Sequence, residues 1–154
     1  MRITEINPEV VYAVDEQRLM DKTWLREVAD RALKNSSGKC RICLHRSPDE
    51  VLHEMLIAMR RDCVYPPHRF LKSEETHFVL QGLAVMRLYD EDGGLCKTIQ
   101  MGPFDSGRTA YVRIPKSCYH DMVVESDLCV YLETKLGPFR SDDNQIAPFP
   151  GGGQ

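Results

Sequence analysis

Two periods of hydrophobic and polar alternation divide the chain. Over residues 21–33, DKTWLREVADRAL, Trp24, Val28 and Leu33 fall near one helical stripe with charges opposite, and Asn35-Ser36-Ser37-Gly38 supplies stop residues. One amphipathic helix is predicted there. Ser47-Pro48-Asp49-Glu50 suits a single short turn. Otherwise the period drops to about two, the mark of strands whose side chains alternate between faces. Strands are predicted over residues 40–45, 55–60, 76–80, 84–89, 95–101, 110–114, 120–124 and 128–134.

Turn chemistry separates these runs. Asp92-Gly93-Gly94 predicts a tight hairpin, because Gly and Asp tolerate the positive φ that its central positions need. Gly102-Pro103, Asp105-Ser106-Gly107 and Ser126-Asp127 punctuate the later strands. Short strands at this spacing predict a small antiparallel barrel or sandwich. From Gly137 onward the periodicity is lost, so a loop on the body and a frayed FPGGGQ end are expected.

Composition narrows the possibilities. A chain of 154 residues with 42% hydrophobic content supports one domain with a real core and is short for two. We divide it into residues 1–38, an extension with the helix, and residues 39–150, a barrel with a C-terminal packing loop. The formal net charge of −3, with lysines and arginines scattered, provides no basic stripe for a nucleic-acid backbone. No apolar run reaches the roughly 18 residues of a membrane span. MRITEINPEV carries acidic residues where a secretory signal has its apolar core, so a cytoplasmic location is expected. In that compartment the six cysteines are expected as free thiols packed like small hydrophobes.

The chemistry concentrates in PPHRFLKSEETHFVLQG, residues 66–82. If two strands meet at a bend over residues 71–74, His68 and Phe70 share one face, and Glu75, His77, Val79 and Gln81 share another. Were the bend one residue shorter, Glu74 would be the inward carboxylate. IPKSCYH adds His120 at a strand start beyond a turn after Pro115.

These residues resemble the two motifs of the cupin superfamily. His68, Phe70, Glu75 and Gly82 fall on the first, His-x-His followed by Glu and Gly; Pro115, Ser117 and His120 fall on the second, Pro-x-Gly-x-x-His. Phe70 stands where the second histidine belongs, and Ser117 where the glycine belongs. More of the chain, from HRSPDEVLHEMLIAMRRDCVYPPHRF through KSEETHFVLQGLAVMRLYDEDG to ETKLGPF and IAPFP, is similar to the WbuC family of cupin-fold metalloproteins. The resemblance implies a cupin-like small β-barrel (double-stranded β-helix), which with the helix predicted above gives an all-β fold with an N-terminal α-helix. It also implies one divalent metal ion (Fe, Zn, Ni or Mn) and a link to bacterial surface-polysaccharide gene clusters.

By direct carry-over the metal ligands are His68, Glu75 and His120, a two-imidazole, one-carboxylate set of the kind associated with non-haem iron(II). His77 is a further candidate that would restore the ligand lost at Phe70. Arg69, Lys72 and Arg113 are candidates for holding a substrate carboxylate or phosphate; solvated strand-edge charge is the ordinary alternative. Cys40-x-x-Cys43 with His45 lacks a second ligand pair at zinc-finger spacing and reads as strand packing. Cys118 shares the parity of His120 and reads as filler or as a thiol near the metal. His45 and His53 read as core or surface polar residues. No catalytic residue is assigned.

The expected function is action on, or binding of, a small polar metabolite such as a sugar or sugar nucleotide, with the metal as Lewis acid in isomerisation or epimerisation. An iron-dependent dioxygenase and a non-catalytic sugar-binding or regulatory cupin are the alternatives. A homodimer is expected, because unpaired sheet edges invite pairing.

Overall fold

The computed structural model describes residues 2–151. Its helix, α1 (Lys22–Lys34), starts at an Asp21 cap whose carboxylate accepts from the Thr23 amide at 2.8 Å. Trp24, Val28 and Ala32, four residues apart, form its buried stripe. They pack on Cys40, Ile42, Leu56, Ala58 and Val130. Leu33, expected on that stripe, is 54% exposed. At 3.6 residues per turn it lies about half a turn away from Trp24.

The strands are β1 (Ile3–Asn7), β2 (Val10–Ala13), β3 (Lys39–Cys43), β4 (Leu52–Arg60), β5 (His68–Phe70), β6 (Glu75–Gln81), β7 (Ala84–Tyr89), β8 (Leu95–Met101), β9 (Tyr111–Ile114), β10 (Tyr119–Val124), β11 (Leu128–Leu136) and β12 (Asn144–Ile146). They form a seven-stranded sheet, β1-β2-β3-β4-β11-β6-β9, and a five-stranded sheet, β12-β5-β10-β7-β8. The architecture is the expected all-β one with an N-terminal helix. The two sheets face each other across the core and are not hydrogen-bonded into a closed ring.

Before the helix, where no strand was expected, β1 and β2 extend the large sheet. β2 pairs parallel with β3, so the connection must cross over, and α1 is that crossover. Helix packing on the sheet's outer face follows from it. The inner faces bury Met55, Ile57, Met59 and Val79 of the large sheet against Met86 and Val124 of the small one.

β7 and β8 form the predicted hairpin. Among the described residues of its turn only Gly93 takes positive φ, 88°, while the Asp90 carboxylate accepts from the Gly94 amide at 2.6 Å. The tail is more structured than expected. β12 pairs with β5, and the Phe149 ring lies 5.2 Å from that of Tyr119. Residues 152–154, where a frayed end was expected, lie outside the described residues.

Candidate metal centre

The site lies between the sheets. On the small sheet His120 of β10 is registered directly opposite His68 of β5, with ring centroids 4.5 Å apart. The turn before β10 sets this register: Cys118 N–H donates to the Pro115 carbonyl, and Ser117 N–H donates to the Phe70 carbonyl at 2.7 Å. Ser117 takes φ 64°, the left-handed conformation that explains a motif glycine at this place. On the large sheet, period-2 alternation turns Glu75 and His77 of β6 inward, where both are buried. Glu74 points outward and accepts from Arg113 Nε at 2.6 Å. The inward carboxylate is therefore Glu75.

One ligand atom from each of His68, Glu75 and His120 lies within 4.8 Å of the other two. Glu75 Oε1 and His120 Nε2 face each other at close range, yet not at hydrogen-bond angles, and both are buried without a hydrogen-bond partner. His68 Nδ1 is likewise unpartnered. Each orphan costs about 1–3 kcal/mol of desolvation unless something completes it. His120 Nδ1 lies 3.0 Å from the Cys118 carbonyl, an arrangement in which Nδ1–H donates and the Nε2 lone pair faces the cavity. Two imidazoles and a carboxylate that each bring a ligand atom within 4.8 Å of the others fit a divalent cation.

The electrostatics agree. Burial opposes ionisation of Glu75, but contacts with His120 and His77 outweigh it and hold the carboxyl well below its usual range. Burial also disfavours charge on His120, and the Glu75 carboxylate reverses this, leaving His120 raised. His68 is pushed down to about 3, mainly by burial and then by His120. The pocket thus holds a buried carboxylate with His120 as its nearest partner for positive charge, beside the neutral imidazole of His68.

His77 faces the same interior but groups differently. Its Nε2 is 3.8 Å from Glu75 Oε2 and 3.7 Å from Glu133 Oε2, and these three residues form a second cluster that does not include His68 or His120. Both His77 nitrogens are buried without a hydrogen-bond partner. Phe70, at the place of the motif's second histidine, points inward and is 8% exposed. Lys135 Nζ sits 3.7 Å from its ring centroid, a cation–π contact in place of a ligand.

A cavity of about 280 Å³ opens beside this cluster. Its cations are Lys39, Arg41 and Lys135. Arg69, Lys72 and Arg113 do not line it. Arg69 donates to Glu91 at 2.6 Å and to Gln145 at 2.7 Å, Lys72 donates to Asp142 at 2.8 Å, and Arg113 pairs with Glu74. The signal for Lys39 and Arg41 was present in KCRIC: with Cys40 and Ile42 against the helix, the intervening cations must face the other way.

The remaining candidates are structural. Cys40 packs under the helix and Cys43 in the core between the sheets, so the pair cannot share an ion from one strand face. All six cysteines are free thiols. Burial raises the Cys118 pKa, against a reactive thiolate, and its backbone carbonyl is what serves His120. His45 and His53 are buried and stacked, with centroids 4.0 Å apart.

The fold is that of the cupins. SO0799 from Shewanella oneidensis aligns over 73% of this chain and 75% of its own, with TM-score 0.57 and 19% identity. KdgF from Halomonas sp. aligns over 68% and 82%, with TM-score 0.52 and 19% identity. CapF, a capsular polysaccharide assembling protein from Staphylococcus aureus, aligns over 70% of this chain at TM-score 0.58 and 14% identity, but over only 29% of its own length. Residues 20–101, just over half of the chain, match the model of a domain of unknown function, DUF6016, and the chain belongs to that family. The matched span holds His68, Glu75 and His77 and ends before His120. No curated protein matches the chain.

Proposed function

We propose that this protein is a metal-dependent cupin in which His68, Glu75 and His120 hold one divalent ion and the adjoining cavity receives a small polar metabolite. The observation that carries the reading is the convergence of one ligand atom each from His68, Glu75 and His120, carried by both sheets, with Glu75 Oε1 and His120 Nε2 buried without a hydrogen-bond partner. His77, beside Glu75 and Glu133 and on the cavity lining, would be available to the ion as a further ligand or to the metabolite. When bound, the ion supplies Lewis-acid chemistry, polarising a carbonyl or hydroxyl. The chain's part is to orient: Cys118 fixes the His120 tautomer, and β5 and β10 set the spacing of the imidazoles.

A sugar or sugar derivative in surface-polysaccharide synthesis is the substrate class we favour, supported by the WbuC-like segments and by the fold shared with CapF. The cavity volume suits one sugar-sized group. Isomerisation or epimerisation is the reaction type this reading expects. The reading extends to a homodimer in the cytoplasm, supported by β9 ending the larger sheet as an edge strand. Among the described residues, no helix is long and apolar enough to cross a membrane.

The test is elemental analysis of untagged protein purified without chelator. Wild type is expected to carry near-stoichiometric divalent metal, and His68→Ala to lose it. Retention of full metal by that variant would remove His68 from the ligand set.

A further inference from the structure

The cavity has a wall that metal binding does not use. Lys39 and Arg41 stand two apart on β3, and Lys135 is registered opposite Glu75 on the neighbouring strand of the same sheet. All three line the cavity. Among the described residues, no carboxylate lies within 4.0 Å of Lys39 Nζ or Lys135 Nζ; their near neighbours are the rings of Tyr65, 4.8 Å from Lys39, and Phe70. Arg41 spends one nitrogen on Glu9 at 2.8 Å, while its Nε is buried without a partner. Asn144 Oδ1, also on the lining, is unpartnered too. Burial lowers the Lys39 pKa and Arg41 adds to the effect, while the more distant Glu133 and Glu9 offset it in part. Among the described residues, Glu133 is the one carboxylate on the lining, and it lies 3.7 Å from His77 Nε2. A buried Lys135 and a partly buried Lys39, neither with a carboxylate at ion-pair distance among the described residues, stand beside an arginine with a buried, unpartnered N–H, a set of donors suited to an anion.

We infer that the cavity takes a ligand bearing a carboxylate or phosphate, held by Lys39, Arg41 and Lys135, with the remainder of the molecule turned toward the His68, Glu75 and His120 cluster. β3 lies three strands from β6, roughly 14 Å at about 4.8 Å per strand, before the long basic side chains reach inward. A small acid or a sugar phosphate spans what is left. The ligand's orientation rests on the metal reading above; binding of the anion itself does not.

The experiment is calorimetric titration of the full chain with inorganic phosphate and, separately, with malonate, each against sodium chloride at matched ionic strength. Wild type is expected to bind one or both oxyanions beyond the chloride effect. Lys39→Gln and Lys135→Gln are each expected to weaken binding about tenfold, with metal content and circular dichroism unchanged. Tighter phosphate points to a phosphorylated ligand, and tighter malonate to a carboxylic acid. His68→Ala separates the two readings: oxyanion binding that persists in it and still depends on Lys39 supports the basic wall whether or not metal is found. Oxyanion binding no stronger than chloride, or equal in wild type and both lysine variants, overturns the inference.

Discussion

Glu75 Oε1 and His120 Nε2 meet across the gap between the two sheets, one carried by β6 and the other by β10. Neither sheet alone contains the site. An ion gripped by these two and His68 would therefore bind only the folded arrangement and would tie the sheets together at that end.

Chelation follows from this. Removing the metal is expected to lower the melting temperature, because a ligand at 100 times its Kd stabilises by about 2.7 kcal/mol. For a domain of this size that is roughly 5–10 °C. Differential scanning calorimetry with and without a chelator reads it, and readdition of metal should restore the original value.

Phe70 is the position where coordination can be gained. Phe70→His places an imidazole two residues from His68 on the same strand face, toward the cluster. Metal affinity is expected to rise by roughly tenfold, about 1.4 kcal/mol, measured by competition with a chromogenic chelator. The Lys135 ammonium over the ring opposes the gain, so Phe70→His combined with Lys135→Met should exceed the single change.

Ser117 and Gly82 test the backbone. Ser117→Gly is expected to stabilise by about 0.5–1 kcal/mol, since relief of left-handed strain exceeds the added entropy of the unfolded chain. Gly82 takes φ 81°, and a Cβ there would lie 2.1 Å from the Leu128 carbonyl oxygen. Gly82→Ala is expected to destabilise by more than about 2 kcal/mol, read by urea unfolding.

The His45–His53 stack gives an acid sensitivity separate from the metal centre. Burial first, and repulsion from His53 second, hold the His45 pKa below its usual 6.5. Above pH 6.5 both folded and unfolded chains keep His45 neutral. As the pH falls below it, the unfolded chain takes up a proton that the folded chain refuses, and stability is lost until the lowered folded value is passed. Melting temperature should decline from pH 7 toward pH 5, with a shallower slope in His45→Gln.

The strand pattern was legible in the sequence because period 2 fixes which side chains face inward, and the gathering of His68, Glu75 and His120 was legible because they fall on the two cupin-like motifs; one residue of slippage would have reversed Glu74 and Glu75. The hairpin β1–β2 was not legible: ITEIN is mostly exposed, and VVYA is too short to be told from a loop by alternation. The basic residues were sought next to the motif, at Arg69, Lys72 and Arg113, whereas the cavity draws its cations from β3 and β11, strands distant in sequence. Proximity along the chain says little about what a sheet brings together. The tail failed for a related reason: three residues of β12 have no period of their own, and only the free edge of β5 makes them a strand.

That last pairing has a cost for anyone truncating the protein. β5 is three residues long and carries His68, and β12 covers its outer side from near the end of the chain. A protease nick or deletion around residue 140 would turn the histidine-bearing strand into a bare margin, free to fray or to recruit a foreign strand. Tags and cleavage sites are better placed at the other terminus.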